Sequence, residues 1–253
     1  MKALILAAGT GSRLYPLTAD RPKTMLEILG FPLIYYQIQG LLRHGIQEIC
    51  LVTGYQQEVL IHYILLAFPG QRFTFLYNPF FRDMNNIYSF YLAAQYCSES
   101  DMLILNSDVF CEPDLLREAV YSPLDILLVD GEKEFSAEAT KVRLDERSRV
   151  IEVSKEISLE QSQGEYIGIM KLSKGSCQLL HDKVRELLYQ GQSNWWFVYA
   201  LNELLARIPV SPVFTRGRVW EEIDSPLDYS NAIHLAEKMV RGKKHLLNGR
   251  SMI

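Results

Sequence analysis

The sequence has few features outside those of ordinary globular proteins. Its four cysteines form no Cys-x-x-Cys pair, and each lies in or beside an apolar or helical stretch, so we expect buried free thiols. The apolar run after Met1 holds only about six residues, too short for a typical signal peptide. No stretch approaches the ~20 apolar residues that cross a bilayer. We therefore expect a cytoplasmic protein without a membrane partner. The cysteines are Cys50, Cys97, Cys111 and Cys177.

Positive charge is not in excess either. The 26 basic residues are outnumbered by 30 acidic ones, and the resulting net charge of −4 argues against a nucleic-acid partner. The sequence also lacks an internal repeat, a low-complexity linker and a clear domain boundary. With 253 residues, we expect a single domain over residues 1–241 and a basic C-terminal tail over 242–253. The sequence leaves the oligomeric state open, a homodimer included.

What the sequence does contain is an alternation of apolar runs and amphipathic segments, which predicts a mostly parallel sheet wrapped by helices. The predicted strands of the first half are 3–7, 48–53, 73–77, 102–105 and 126–129. The predicted helices there are 32–44, 56–67, 87–96 and 112–121. After residue 140 we expect short strands at 150–153, 166–170, 210–214 and 218–223. The helices expected in this second half are 174–189, 194–206 and 226–239.

The first strand runs directly into a glycine-rich segment, AAGTGSRL at residues 7–14. Glycines allow a backbone to approach a ligand and to point its N–H groups at phosphate. Arg13 adds a positive fork for phosphate oxygens, and Lys23 follows in the segment PKTML at 22–26. Together these residues indicate a site for a phosphorylated ligand.

Three familiar kinds of turn fit this loop less well. A Walker loop requires a lysine and a serine or threonine directly after the glycines, and they are missing. A dinucleotide-binding turn would have a third glycine where Leu14 stands, and an acidic residue after the second strand, which ends in Thr53 and Gly54. An ordinary strand-to-loop turn accounts for the glycines but not for Arg13, Pro16 and the 22–26 segment together.

The run LAAGTGSRLYPLT…RPKTMLEI resembles the signature of the sugar-phosphate nucleotidyltransferases. The resemblance implies an α/β, Rossmann-like three-layer sandwich of the nucleotide-diphospho-sugar transferase type, with a mixed and mostly parallel sheet. It also implies that Arg13 and Lys23 are catalytic and neutralise the triphosphate. The nucleotide contacts that it implies are Leu6, Ala7, Ala8, Gly9, Thr10, Gly11, Ser12, Arg13, Lys23, Asn86 and Ser89.

Two aspartates follow strands that are far apart in the sequence. Asp108 comes at the end of LILNSD and Asp224 at the end of VWEEID. Carboxylates on rigid supports suit Mg²⁺ bridging triphosphate oxygens, and each residue could instead cap the following helix. The resemblance implies the first role, in which Asp108 and Asp224 are catalytic and hold Mg²⁺.

Two further segments narrow the resemblance. Residues 85–89 (NNIYS) and 222–225 (EIDS) look like those of bacterial phosphocholine and 2-aminoethylphosphonate cytidylyltransferases. This resemblance implies transfer of CMP from CTP to a small phosphorylated or phosphonate amino-alcohol, with release of pyrophosphate. The alternatives are a sugar 1-phosphate acceptor and, in another class, a non-catalytic nucleotide sensor, which should have lost a metal carboxylate or the loop lysine.

The acceptor is expected to bind in the region 125–225, where tryptophans and acids would suit a cationic head group. Each candidate there could equally have a plain structural role, as a surface lysine, an exposed strand start or a packed aromatic. The candidates are Lys155, Glu165, Tyr166, Trp195, Trp220 and Glu222.

Overall fold

The computed structural model describes residues 1–93, 96, 99–134 and 138–249, and only the backbone of residues 242–249. Thirteen strands lie in this part of the chain. They are β1 (Lys2–Ala7), β2 (Glu27–Ile28), β3 (Phe31–Pro32), β4 (Glu48–Thr53), β5 (Arg72–Tyr77), β6 (Met102–Asn106), β7 (Val109–Cys111), β8 (Asp125–Asp130), β9 (Lys141–Leu144), β10 (Val150–Ser154), β11 (Gly164–Leu172), β12 (Val210–Phe214) and β13 (Trp220–Glu222).

The helices pack around these strands. They are α1 (Leu33–Arg43), α2 (Gln57–Ala67), α3 (Asn86–Leu92), α4 (Pro113–Tyr121), α5 (Lys174–Tyr189), α6 (Phe197–Asn202) and α7 (Pro226–Gly249). Short 3₁₀ turns lie at Ser12–Leu14, Lys23–Met25 and Leu159–Gln161. No helix in the described ranges combines the length and the apolar character that a membrane span requires.

One mixed sheet forms the centre of the fold. Its first part is parallel, in the order β6-β1-β4-β5. The long strand β11 then runs antiparallel to β6, β8 and β9, while β12 pairs parallel with β8. The α/β fold with a mixed, mostly parallel sheet that the sequence predicts is confirmed.

Residues of β1 show how the sheet divides the core into two layers. Leu4 and Leu6 belong to the cluster that includes α3, α5 and α6, whereas Ala3 and Ile5 belong to the cluster that includes α1, α2 and α4. Successive side chains of a strand point to opposite faces, so a fully apolar strand can supply both layers. Helices therefore cover both faces of the sheet, as in a three-layer sandwich.

A third and smaller apolar cluster lies beside the main sheet. It contains Leu14, Leu26, Phe110 and Ile223, together with Ala232 of α7. Leu14 and Leu26 come from the first part of the chain, Phe110 from its middle, and Ile223 and Ala232 from its last part, and all are almost completely buried. Since Leu14 follows Arg13 and Ile223 precedes Asp224, this cluster fixes the backbone next to two candidate catalytic residues.

Several predicted bounds in the second half were wrong. The helix predicted at 194–206 is α6 only, because bonds from the N–H of Leu204 to Leu201 and of Arg207 to Leu204 tighten the following residues into turns. The last helix continues ten residues past 239, through Gly242, which a helix tolerates at a cost of about 1 kcal/mol.

Other differences are local. The two- and three-residue strands β2, β3 and β7 were missed, because so short a run shows no periodicity. The helix predicted over 87–96 ends at Leu92, with residues 94 and 95 outside the described part.

Cys50 and Cys177 are buried as expected, Cys111 is only half-buried, and Cys97 lies outside the described residues. Residues 250–253 of the predicted tail also lie outside them.

Candidate active site

The glycine-rich loop turns sharply as it leaves β1. Gly11 has a φ of 63°, in the left-handed region, and begins the 3₁₀ turn Ser12–Leu14. A Cβ at this position would lie 2.9 Å from Cβ of Lys23 and 3.2 Å from Cγ2 of Thr18. Both the backbone conformation and the close approach require glycine. The loop therefore lies directly against the segment that carries Lys23.

Four charged side chains meet beside this loop. The Nζ atom of Lys23 lies 2.8 Å from Oδ2 of Asp108 and 2.8 Å from Oδ1 of Asp224. The Nη2 atom of Arg13 lies 2.7 Å from the other oxygen of Asp224. Lys23 and the two aspartates are mostly buried, whereas Arg13 is exposed. The four candidate catalytic residues predicted from the sequence thus form one cluster.

The electrostatics keep Lys23 and Asp224 ionised. Burial alone would lower the pKa of Lys23, but the charges of Asp108 and Asp224 outweigh it and raise the pKa above its ordinary value. Burial would likewise raise the pKa of Asp224, but Lys23 and then Arg13 bring that pKa below its ordinary value. Because the charged partners outweigh burial in both groups, the lysine and the aspartate are charged at neutral pH.

A small antiparallel ladder brings the two aspartates together. β7 pairs with β13, with Val109 opposite Glu222, and the N–H of Ile223 donates to the carbonyl of Asp108 over 2.9 Å. Asp108 lies in the turn between β6 and β7, and Asp224 follows β13 directly. These short strands therefore join residues that are 116 positions apart in the sequence.

Neither aspartate serves as a helix cap, the alternative role considered from the sequence. Helix α4 begins after Glu112, beyond β7. In α7 the hydroxyl of Ser225 accepts from the N–H of Asp228, whose carboxylate accepts in return from the backbone of Asp224 and Ser225. The side chain of Asp224 is thereby left to face Lys23 and Arg13.

The donor set fits a magnesium ion that a substrate helps to bind. Oδ1 of Asp108 is buried and has no hydrogen-bond partner among the described residues, which is unusual for a carboxylate oxygen. No group of three or more His, Cys, Asp or Glu in the described ranges could hold a metal by itself. Mg²⁺ commonly takes one or two carboxylates and completes its shell with water and substrate phosphates. Two convergent aspartates match that pattern.

A single cavity of about 600 Å³ opens over this cluster. Its size lies within the usual range for small-molecule sites. At its nucleotide end it is lined by Leu6, Ala8, Gly9, Thr10, Gly11, Ser12, Arg13, Lys23, Asn86 and Ser89. Ala7 does not line it, because alternation along β1 buries this side chain in the opposite layer with α1 and α2. Contact of Ala7 with nucleotide through its backbone stays a prediction.

Sequence reasoning missed Asn78, which follows β5 at the edge of the cavity. Asn78 is buried; its Nδ2 donates to the hydroxyl of Ser89 over 3.0 Å, and its Oδ1 accepts from the N–H of Phe80. Nearby, Oδ1 of Asn86 accepts from the N–H of Phe197 at the start of α6. Asn78 therefore fixes Ser89. Its position after a strand, at the carboxyl edge of the sheet, was the available signal.

The other end of the cavity is acidic and aromatic. The predicted acceptor contacts that line it are Lys155, Glu165, Tyr166, Trp220 and Glu222. Trp195 is the exception, since it packs partly buried against the main core while its neighbour Trp196 lines the cavity. The Nζ atom of Lys155 lies 5.5 Å from the centre of the Trp196 ring. Trp196 therefore replaces Trp195 among the acceptor candidates.

Burial also shifts the titration of the acids at this end. It raises the pKa of Glu165 to about 7, with Asp130 and Glu221 adding to the effect and Lys133 opposing it. It raises the pKa of Glu222 to about 8, and the charges of Asp108 and Asp224 act in the same direction. Carboxylates that carry a penalty for ionisation gain from a neighbouring cation.

A second charged cluster, missed from the sequence, surrounds Trp220. The indole Nε1 donates a hydrogen bond to Asp130, and the Nζ atom of Lys133 lies 4.7 Å from the centre of the ring. The same Nζ atom donates to Oε2 of Glu221 over 2.8 Å. Trp220 is almost fully buried, and the ammonium of Lys133 lies over the ring that is predicted to contact the acceptor. Lys133 lies in an ordinary turn, 88 positions from Glu221, and nothing local marked it.

Comparisons with known proteins agree with this geometry. Residues 2–122 match the nucleotidyl transferase family. A CTP:phosphoglutamine cytidylyltransferase from Campylobacter jejuni is 28% identical over 251 residues, which cover 88% of this chain and 96% of that protein. A choline-phosphate cytidylyltransferase from Streptococcus pneumoniae is 37% identical over 125 residues, 48% of this chain and 53% of that protein.

Other relatives are longer or differ in substrate. The bifunctional protein GlmU from Methanococcus vannielii is 26% identical over 92% of this chain, but the match spans only 54% of that protein. The chain therefore spans about half the length of some of its curated relatives. A solved structure of the CTP:phosphocholine cytidylyltransferase from Streptococcus pneumoniae has a TM-score of 0.76 at 21% identity, covering 93% of this chain and 98% of that one.

Proposed function

We propose that this chain, whose residues 2–122 match the nucleotidyl transferase family, transfers CMP from CTP to a small amino-alcohol phosphate or phosphonate, releasing pyrophosphate. The observation that carries the proposal is the single cavity with two unlike ends. One end joins the glycine-rich loop to the charges of Lys23, Asp108 and Asp224. The other end is acidic and aromatic.

The choice of CTP and of an amine-bearing acceptor rests on relatives and on the chemistry of the cavity. Three curated relatives are named as cytidylyltransferases, for phosphoglutamine, choline phosphate and 2-aminoethylphosphonate. The acceptor end offers Glu165 and Glu222, whose raised pKa values reflect buried carboxylates that gain from a cation. A hexose would instead call for many neutral hydrogen-bonding partners.

We further propose a direct in-line displacement at the α-phosphorus. An oxygen of the acceptor phosphate, already ionised near neutral pH, forms the new bond to phosphorus, so no general base is required. The bond from phosphorus to the bridging oxygen breaks, and its electron pair leaves with pyrophosphate. The task of the protein is to align the groups and to neutralise charge.

Each charged side chain has a part in this step. The exposed guanidinium of Arg13 can reach the triphosphate, and Lys23 stabilises the charge that moves onto pyrophosphate. Asp108 and Asp224 would hold Mg²⁺, which when bound would supply positive charge to the phosphate oxygens. Lys155, set over the ring of Trp196, is a cation for the acceptor phosphate. No residue is needed to move a proton.

A sugar 1-phosphate acceptor is the second candidate. A UTP–glucose-1-phosphate uridylyltransferase from Haloferax volcanii is 32% identical over 111 residues, 44% of each chain. The match covers less than half of this chain, as do those to the choline-phosphate and 2-aminoethylphosphonate cytidylyltransferases. Such an enzyme would share the mechanism and differ in acceptor and base.

Pyrophosphate release with product analysis would decide between these acceptors. Four NTPs would be crossed with phosphocholine, phosphoethanolamine, 2-aminoethylphosphonate, phosphoglutamine and hexose 1-phosphates, with and without Mg²⁺. We expect turnover with CTP and an amine-bearing acceptor, dependent on Mg²⁺. Turnover confined to a hexose 1-phosphate would contradict the acceptor and leave the nucleotidyltransferase standing. The cytoplasmic location and the homodimer option remain predictions from the sequence.

A further inference from the structure

The acceptor end contains a small cation site that the protein fills with one of its own side chains. The ammonium of Lys133 lies over the ring of Trp220, 4.7 Å from its centre, and donates to Glu221 over 2.8 Å. An aromatic face with a carboxylate beside it is a recognised arrangement for binding organic cations. We call the ring of Trp220 and the carboxylate of Glu221 the ammonium cage.

The two residues of the cage are buried and held in place, whereas the side chain of Lys133 that occupies the cage is partly exposed. Trp220 and Glu221 are almost fully buried, and Asp130 holds the indole through its Nε1. The other oxygen of Asp130 accepts from the backbone N–H groups of Glu132 and Lys133, which fixes the turn beside the cage. The side chain of Lys133 is 44% exposed. Removing Lys133 from the cage would therefore disturb no core packing.

The surroundings favour a cation beyond what Lys133 supplies. Glu165 lines the cavity next to the cage, and in the described part of the chain its carboxylate accepts no hydrogen bond. The hydroxyl of Tyr166 is buried, belongs to a residue that lines the same cavity, and has no partner among the described residues. An unpaired buried hydroxyl and an unbonded acid in one cavity indicate a ligand that brings hydrogen-bond donors.

We propose that Lys133 is an internal stand-in for the acceptor, and that a primary ammonium group of the acceptor displaces it from the ammonium cage. This inference rests on the proposed function. The contact with Glu221 is a hydrogen bond, which a primary ammonium can replace and a quaternary ammonium cannot. Lys133 is thus a specificity-determining residue, because an acceptor binds well only if it carries a cation that can displace Lys133 from the cage.

The sign of one kinetic effect tests the proposal. In Lys133→Ala the acceptor no longer competes with the lysine side chain for the cage. The KM for phosphoethanolamine or for 2-aminoethylphosphonate should therefore fall by about 2- to 10-fold, the range for one exposed cation–π contact and ion pair. The KM for CTP should not change. Glu221→Gln should raise the KM of the same acceptors. If Lys133 instead held a negative group of the acceptor, Lys133→Ala would raise KM, and an unchanged KM would equally overturn the proposal.

A binding experiment tests the cage without turnover. Ethylammonium chloride would be titrated against the indole N–H signals of the three tryptophans, with sodium chloride at equal ionic strength as reference. The Trp220 signal, assigned through Trp220→Phe, should shift and saturate in Lys133→Ala at several-fold lower concentration than in the wild type. The double variant Lys133→Ala, Glu221→Gln should lose saturation.

Lys183→Ala is the matched control, since Lys183 forms ion pairs with Glu186 and Glu203 away from the cavity and without an aromatic ring. It should behave as the wild type in both experiments. Absence of a saturable shift in Lys133→Ala would overturn the cage even if the enzyme transfers CMP. A saturable shift in an enzyme that uses only hexose phosphates would keep the cage as a cation site and overturn the assigned acceptor instead.

Discussion

The two ends of the cavity are built in different ways. The nucleotide end comes mainly from one continuous stretch after β1, together with Lys23, and lies within the residues that match the nucleotidyl transferase family. The acceptor end is assembled from β10, β11, β13, the turn after β8 and the start of α6. The first depends on local sequence, whereas the second depends on how distant strands pair.

This difference determines what each end can tolerate. A loop held by glycine and by a buried cation is specified by a few residues in fixed spacing, so a short sequence signature is enough to predict it. The side chains of the acceptor end are brought together by strand register, for example Glu165 opposite Asp130. Acceptor specificity can therefore vary without a change in the loop. The following predictions test this comparison in order of decreasing effect.

The largest effect is expected at the junction of the two ends. Asp108→Asn and Asp224→Asn should each lower kcat by about a thousandfold at saturating Mg²⁺, since charge stabilisation in a preorganised site is worth this much. Steady-state kinetics would measure the loss, and the unfolding midpoint of each variant would serve as the control for folding. Near-normal kcat in either variant would show that this aspartate has only a structural part.

A smaller loss is expected within the nucleotide end alone. Lys23→Ala should lower kcat by about a hundredfold, at least as strongly as it raises the KM for CTP, because the partner of the lysine gains charge in the transition state. The KM for the acceptor should change little, which separates the two ends. A change confined to the KM for CTP would mean that Lys23 only binds the ground state.

Neighbouring tryptophans provide a matched pair for the acceptor end. Trp196→Ala removes the ring under Lys155 and should raise the acceptor KM by about 2- to 5-fold, as for one exposed cation–π contact. Trp195→Ala should lower the unfolding midpoint and leave that KM unchanged, because Trp195 packs against the core. An acceptor KM that responds to Trp195 rather than to Trp196 would reverse the assignment.

The mildest effect concerns pH. Burial raises the pKa of Glu165 from 4.5 to about 7, so its carboxyl is mainly neutral below that pH and charged above it. The KM of an amine-bearing acceptor should therefore fall a few-fold as the pH rises through about 7. The comparison is with Glu165→Gln, since ionisation of the acceptor phosphate affects both proteins alike. Parallel profiles of the two proteins would remove Glu165 from acceptor binding.

The outcome at particular residues shows how far the sequence alone could predict this site. Arg13, Lys23, Asp108 and Asp224 stand in motifs whose spacing is fixed locally, and they meet as expected. The long apolar strands and the fold type were equally accessible, because their periodicity is strong. Strand alternation also predicts that the Ala7 side chain lies on the face opposite the cavity, where the structure has it.

The acceptor end could not be predicted in the same way. Trp196 precedes α6 with an extended backbone, so which of the two adjacent tryptophans faces the cavity depends on the bounds of a short helix. The position of Lys133 over the ring of Trp220 depends on its hydrogen bond to Glu221, which is 88 positions away in the sequence. Neither feature leaves a periodic pattern, because both arise from the packing of the complete fold.

The third apolar cluster has a consequence for the order in which the protein matures during synthesis. Leu14 and Leu26, which support the loop, pack against Ile223 and Ala232 near the other end of the chain. The ribosome releases β1 long before α7. A nascent chain can thus form the parallel strands early, yet Leu14 and Leu26 lack their contacts with Ile223 and Ala232 until β13 and α7 have emerged. Catalytic competence should appear late, as the final step of folding, which would keep a half-made chain from consuming nucleotide.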